Sequence, residues 1–108
     1  MQTFIKTREI RLEETEKDLI FKKTSKIEKH FPDAHKLEIE IFQETNPSIS
    51  NPTSVELTLS CKKHLMRASS NGSDLIATVD NAIHKINRQV EKYKDKMYHR
   101  AKKQPLNG

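Results

Sequence analysis

Four basic residues recur at helical spacing in the second half of the chain. They are Lys85, Arg88, Lys92 and Lys96. Residues three or four apart lie on one side of an α-helix, which rises about 1.5 Å per residue, so this row spans about 16 Å. A row of cations of that length can follow the phosphates of a nucleic-acid backbone, and counterion release then supplies much of the affinity. Arg88 adds a planar guanidinium that can grip a phosphate with two hydrogen bonds or stack on an exposed base.

The positive charge of the chain is concentrated around this row. The formal net charge is +5, and residues 85–103 hold eight Lys or Arg and two acids, which leaves the remaining residues at −1. Charge that serves solubility alone is not expected to be so segregated, and a basic surface favours a polyanionic partner. A solvated lysine face without a partner is the alternative that the charge pattern leaves open.

Other residue types that could do chemistry lack the pattern that the chemistry needs. Cys61 and His64 supply two possible zinc ligands, whereas a structural site takes four, and Cys61 falls on the apolar side of its strand. Glu38, Glu40 and Glu56 lie on the outer faces of two predicted strands, where no cleft would shift their pKa values for acid–base catalysis. We therefore expect no catalytic residue, metal site, cofactor or small-molecule substrate.

Alternating apolar residues predict the strands. Leu37, Ile39 and Ile41 alternate with glutamates, and a second alternating run begins at Val55, which is the period of a strand with one buried face. Asn71-Gly72 reads as a turn. The predicted strands cover residues 2–7, 36–43, 53–62 and 65–70.

Two amphipathic helices account for most of the remaining chain. The first is predicted from about Glu13 to His30, with Pro32 ending it. Its apolar stripe is formed by Ile20, Thr24, Ile27 and Phe31. The second is predicted to begin at a cap, either Ser73 or Asp74. Its stripe is formed by Ile76, Val79, Ile83, Ile86, Val90, Tyr93 and Met97.

These elements predict one α+β domain with the order β-α-β-β-β-α. A four-stranded sheet with both helices packed on one face would bury the apolar stripes of the helices and one face of every strand. Residues 1–98 are assigned to this domain and residues 99–108 to a flexible basic tail. A single cysteine, no apolar run of the ~20 residues that cross a bilayer and no secretion-signal pattern predict a cytoplasmic protein without a membrane partner.

The second half of the chain also resembles a known family. The matching residues are Leu65-Met66-Arg67-Ala68, Gly72, Asp74-Leu75, Ala77, Val79-Asp80, Ile83, Lys85-Ile86, Arg88-Gln89-Val90 and Lys92-Tyr93-Lys94-Asp95-Lys96. The first helix adds Lys23, Lys26-Ile27-Glu28-Lys29 and Phe31. In order and spacing these residues resemble the ribosome hibernation-promoting factors, also called ribosome-associated inhibitor or protein Y. The turn after the first strand departs from the family, because Thr7-Arg8-Glu9 lacks the usual glycine.

The resemblance implies the same β-α-β-β-β-α fold and a function. Family members bind the small ribosomal subunit in the channel for messenger RNA and tRNA anticodon arms, block initiation and preserve idle ribosomes under stress. By position, contacts to ribosomal RNA are implied for Lys23, Lys26, Lys85, Arg88, Lys92, Lys94 and Lys96, with Arg67 as a secondary candidate. The chain resembles a short-form member, or the N-terminal part of a long form, and is expected to be monomeric away from the ribosome.

Two other functions compete with a ribosome-binding translation inhibitor. A general binder of structured RNA would use the same cations, because helix-on-sheet domains also recognise duplex RNA by its shape. A protein interaction module would use its lysines only for solubility. Binding of free RNA hairpins would distinguish the first alternative, and indifference to RNA at low salt the second.

Overall fold

The computed structural model describes residues 1–62 and 64–106, with side chains described as far as residue 97. The predicted element order is confirmed, as is the α+β class. The elements are β1 (Gln2–Arg8), α1 (Glu14–His30), β2 (Ala34–Gln43), β3 (Thr53–Cys61), β4 (His64–Gly72) and α2 (Leu75–Leu106).

The four strands form one mixed sheet in the order β1-β2-β3-β4. β1 runs parallel to β2, and the other neighbours are antiparallel. A parallel pair needs a crossover connection, which α1 provides. Leu57 of β3 lies opposite Ile39 of β2 and Ala68 of β4, and all three are buried under the helices. The alternating pattern therefore predicted correctly which face of the central strands is buried.

Both helices pack on one face of the sheet. All four residues of the stripe predicted in α1 are buried, and α2 buries Val79, Ala82, Ile86 and Val90. The prediction was wrong for Met97, which is 51% exposed. The 32 residues of α2 extend about 48 Å, whereas a strand of ten residues extends about 33 Å, so α2 is longer than the sheet and part of it extends past the strands.

The start of α2 is set by Asp74, one of the two predicted caps. Its Oδ2 accepts a hydrogen bond of 2.9 Å from the Ala77 amide, which satisfies a donor that the first helical turn leaves free. α1 begins in a related way, because the Glu13 amide donates to Oε1 of Glu16 at 2.9 Å.

β4 is longer than predicted. Asn71-Gly72 was predicted as a turn, but Asn71 pairs with Ser54 and Gly72 with Thr53, so the strand continues to Gly72. The glycine is needed here for close approach, since a Cβ on Gly72 would lie 2.3 Å from Oγ1 of Thr78. In sequence, a strand end that is followed directly by a helix has the same composition as a turn, which is why the predicted strand stopped before Asn71.

The end of the chain is only partly described. α2 continues to Leu106, while the side chains of 98–106 and all of 107–108 lie outside the described residues. The assignment of 99–108 as a flexible basic tail therefore stays a prediction. Neither helix, over the residues described, combines the length and apolarity that a membrane span requires.

Candidate RNA-binding interface

α2 lies over β3 and β4 and holds the outer edge of the sheet with its side chains. Nζ of Lys85 donates a hydrogen bond of 2.8 Å to the Ser69 carbonyl. One turn further along, Nε2 of Gln89 donates to the Arg67 carbonyl. Both acceptors belong to β4, the edge strand. The side of α2 that carries Lys85 and Gln89 is therefore the side that overhangs this edge.

The four cations of the predicted row all reach solvent. We call them the basic flank: Lys85, Arg88, Lys92 and Lys96, each exposed. At 3.6 residues per turn, Lys85, Lys92 and Lys96 follow the β4 side of α2, and Arg88 lies next to them on its outer surface. Arg88, Lys92 and Lys96 form no ion pair with another side chain that the structure describes. Their charges are available to a partner.

Two acids of α2 lie on the opposite side and are paired with α1. Nζ of Lys23 lies 2.9 Å from Oδ1 of Asp80, and Nε2 of His30 lies 2.6 Å from Oε1 of Glu91. These contacts keep both carboxylates away from the basic flank. Asp95, the third acid of α2, is exposed and lies by helical spacing on the outer surface beside the basic flank, so two of the three acids are separated from these cations around the helix.

The other predicted lysine contacts are distributed differently. Lys23 is half-buried between the helices, so RNA contact would require its pair with Asp80 to exchange. Lys94 points to the α1 side, where Nζ donates to the His30 carbonyl at 3.3 Å. Lys26 is exposed on α1. The structure thus brings four of the predicted contacts into one row, and it leaves Lys23 and Lys94 at the α1–α2 junction and Lys26 on the exposed surface of α1.

Arg67 does not join that row. Its neighbours Met66 and Ala68 are buried under the helices, so Arg67 projects from the opposite, open face of the sheet. Its contact with α2 among the hydrogen bonds of the described residues is made by the backbone carbonyl. An RNA contact by the Arg67 side chain would need a second surface, around the β4 edge from the basic flank.

A small depression interrupts the basic flank near its C-terminal end. It has a volume of about 180 Å³ and is lined by His64, Gln89, Lys92, Tyr93 and Lys96. The ring of His64 stacks on that of Tyr93, with centroids 4.9 Å apart and planes 17° apart. Sequence reasoning placed Tyr93 against the sheet, with base stacking as the alternative, and considered His64 as part of a turn and as a possible metal ligand. The stacking of His64, the first residue of β4, on Tyr93 of α2 joins distant parts of the chain, so no local pattern in the sequence predicts it.

Tyr93 is anchored from its other side as well. Its ring meets that of Phe31 edge to face, with centroids 5.7 Å apart. Partial burial raises the pKa of the Tyr93 phenol, and the neighbouring Cys61 and Asp33 add to the rise. Tyr93 is therefore neutral at physiological pH. The rings of Phe31, Tyr93 and His64 form a continuous series of contacts that begins at a buried residue and ends at an exposed one.

The residues considered for other chemistry are spread apart. Cys61 is buried, as its place on the apolar side of β3 predicted. Within residues 1–62 and 64–97, no group of three or more His, Cys, Asp or Glu side chains could hold a metal ion. Glu40 and Glu56 are exposed on the open face of the sheet, and Glu38 is paired there with Lys36 at 3.4 Å.

The sheet, its two helices and the basic flank define a helix-on-sheet domain with one cationic helix side. The comparison with known families is consistent with that class. The chain belongs to the family described as Sigma 54 modulation protein / S30EA ribosomal protein, which matches residues 4–98. Membership confirms the resemblance seen in the sequence.

Relatives and solved structures agree with this assignment. A ribosome hibernation promotion factor of Lactococcus lactis is 31% identical over 69% of this chain and 40% of its own length. One of Picosynechococcus is 29% identical over 91% of this chain and 51% of its own length. The chain thus spans about half, or less, of these curated relatives.

Two solved structures share the fold. A ribosomal subunit interface protein from Coxiella burnetii superposes with a TM-score of 0.77 at 19% identity, covering 88% of this chain and 99% of the other. The N-terminal domain of Thermus thermophilus Protein Y gives 0.70 at 17% identity, covering 86% and 99%.

Proposed function

We propose that this chain is a non-catalytic translation inhibitor that binds the small ribosomal subunit through the basic flank. It occupies the channel for messenger RNA and tRNA, and so keeps ribosomes inactive under stress in the cytoplasm. It acts as a monomer away from the ribosome. The observation that carries the proposal is the solvent-exposed row of Lys85, Arg88, Lys92 and Lys96 in a member of this family.

The geometry of the basic flank suits a phosphate backbone. Three of its cations have no ion-pair partner among the described side chains, so binding RNA costs no internal pair. Lys85 is held by the Ser69 carbonyl, and an ammonium has three hydrogens, so two remain for an acceptor outside the protein. A pre-positioned donor loses less conformational entropy on binding than a free one.

The names of the relatives support the ribosome as the partner. The curated proteins are ribosome hibernation promotion factors, and one structural neighbour is a ribosomal subunit interface protein. A rigid sheet supports α2 along its buried turns, so the basic flank can be presented as a unit. Inhibition then needs no covalent step, because a domain bound in the channel would sterically exclude messenger RNA and tRNA.

The proposal is tested by sedimenting the chain with purified small or large subunits through a sucrose cushion at low and high salt. We expect it to pellet with small subunits at low salt, to remain bound when excess hairpin RNA is added, and to be released by high salt. Equal displacement by hairpin RNA would indicate a general binder of structured RNA instead. Failure to pellet at low salt would contradict the ribosomal proposal and favour a protein interaction module.

The channel is tested separately by order of addition. Small subunits loaded first with messenger RNA and initiator tRNA should bind much less of the chain, and the chain added first should lower initiation complex formation. Undiminished binding to loaded subunits would place the chain elsewhere on the ribosome. A cell-free translation assay then measures whether binding lowers protein synthesis.

A further inference from the structure

The depression lined by His64, Gln89, Lys92, Tyr93 and Lys96 differs from the rest of the basic flank in carrying rings and an amide. Its volume of about 180 Å³ is several times the ~30 Å³ that one water occupies in the liquid, so it has room for more than a single water. Two of its five residues are cations, and none of the described residues that line it is acidic. Its charge suits an anion with a flat, polar group attached.

The ring of His64 offers a stacking surface. Tyr93 covers one face of the imidazole, and Tyr93 is itself held by Phe31. His64 is exposed, and among the described residues its ring stacks with that of Tyr93 alone. Unpaired RNA bases stack on histidine and tyrosine rings, and a base on His64 would extend an existing stack of three rings.

The orientation of Gln89 is fixed by chemistry. Its Nε2 faces the Arg67 carbonyl, which can only accept, so the amide cannot be flipped. Oε1 is therefore the amide atom that remains for a partner, and the ammonium groups of Lys92 and Lys96 line the same depression. An acceptor there repels phosphate oxygens, but it can accept a hydrogen bond from a ribose 2′-hydroxyl, the group that distinguishes RNA from DNA.

We propose that this depression binds one unpaired nucleotide of an RNA strand that lies along the basic flank. The base stacks on His64, the adjacent phosphates lie between Lys92 and Lys96, and Gln89 accepts a hydrogen bond from the 2′-hydroxyl. The inference rests on the proposed function, because it specifies the form of RNA that the basic flank takes. It adds selection for ribose and for an unstacked base to an interface otherwise dominated by charge.

The test uses the full chain and a short fluorescein-labelled single-stranded oligonucleotide of mixed sequence. The oligonucleotide is made in a ribo form and in a 2′-deoxy form with the same bases, uracil included, and binding is followed by fluorescence anisotropy. Wild type should prefer the ribo form by about fivefold, the value of one net hydrogen bond. Gln89→Ala should remove that preference and leave affinity for the deoxy form unchanged.

His64 is tested in the same assay. His64→Ala should weaken binding of both forms by about tenfold, within the range for losing one base–aromatic stack, and His64→Phe should restore it. Asn81→Ala removes an exposed amide elsewhere on α2 and should bind as wild type. Circular dichroism checks that each variant is folded.

Failure of the nucleotide site is distinguishable from failure of the proposed function. If wild type pellets with small subunits but binds ribo and deoxy forms equally, or His64→Ala binds as wild type, the nucleotide site is wrong and the ribosomal proposal stands. Wild type that pellets but binds neither oligonucleotide also overturns the nucleotide site. If wild type neither pellets nor binds the oligonucleotides, both proposals are wrong.

Discussion

Nζ of Lys23 in α1 lies 2.9 Å from Oδ1 of Asp80 in α2. The pair joins the two helices on the side of α2 away from β4. It also neutralises an acid that would otherwise oppose the positive charge of the basic flank. Since Lys23 is also a predicted RNA contact, this pair links the packing of the helices to the charge they present.

Asp80→Asn should strengthen binding to small subunits. The change removes a negative charge and releases Lys23, so affinity at low salt should rise a few-fold and its salt dependence should steepen. Stability should fall by about 1 kcal/mol or less, because the carboxylate is half-exposed and such pairs are weak. Asp18→Asn makes the same charge change at an exposed site near the start of α1. An equal gain in both variants would show that net charge, rather than Lys23, is responsible.

How far the sequence predicts this fold depends on the range of the interactions. Alternation in β2 and β3 and the stripe of α1 are local patterns, and they identified the buried residues correctly. The stripe of α2 was extended to Met97, because periodicity continues whether or not a sheet lies beneath the helix. The turn predicted at Asn71-Gly72 overlooked the pairing of both residues with β3.

The residues of the candidate site also divide into those that a local sequence pattern predicts and those that depend on distant contacts. The row of Lys85, Arg88, Lys92 and Lys96 follows from helical spacing alone, and the structure exposes all four. The ion pair of Lys23 and the stack of His64 on Tyr93 depend on how distant elements pack, and nothing near these residues in the sequence indicates it. Arg67 could be placed on a strand but not on the face opposite the helices.

The unequal burial of the α2 stripe predicts unequal stabilities. Ile86→Ala should lower the free energy of unfolding by about 2–5 kcal/mol, because it leaves a cavity beneath a fully buried side chain. Met97→Ala should change it by less than about 0.5 kcal/mol, since that side chain is half-exposed beyond the sheet. Urea unfolding followed by circular dichroism measures both. Similar losses would mean that Met97 is packed in solution.

Glu9 explains how the chain turns without the glycine usual in the family. Its φ of 61° lies in the left-handed region, which costs a residue with a Cβ about 1–2 kcal/mol. Glu9→Gly should therefore raise the free energy of unfolding by up to about 1 kcal/mol, since the glycine loses some of the gain as chain entropy. Glu9→Ala removes the carboxylate but keeps the Cβ. If both raise stability equally in thermal unfolding, the charge and not the backbone is the cause.

Gly72 and Thr78 should be coupled. Oγ1 of Thr78 donates a hydrogen bond of 2.6 Å to the Asp74 carbonyl, and it lies where a Cβ on residue 72 would be placed. Gly72→Ala should cost about 1–3 kcal/mol, because the hydroxyl must move and give up that bond. In a Thr78→Ala background the same change should cost less. A double-mutant cycle measures the coupling, and additive effects would contradict the close contact.

The most direct test of the central claim compares two triple charge reversals in small-subunit sedimentation. Lys85→Glu, Arg88→Glu and Lys92→Glu together alter the basic flank. Lys6→Glu, Arg11→Glu and Lys17→Glu together make the same change in net charge at exposed residues in or near β1 and α1, and β1 lies at the opposite edge of the sheet from β4. With both folded by circular dichroism, we expect the first to stay in the supernatant at low salt and the second to pellet with the subunits. If the two variants pellet equally, the basic flank is not the ribosome-binding surface.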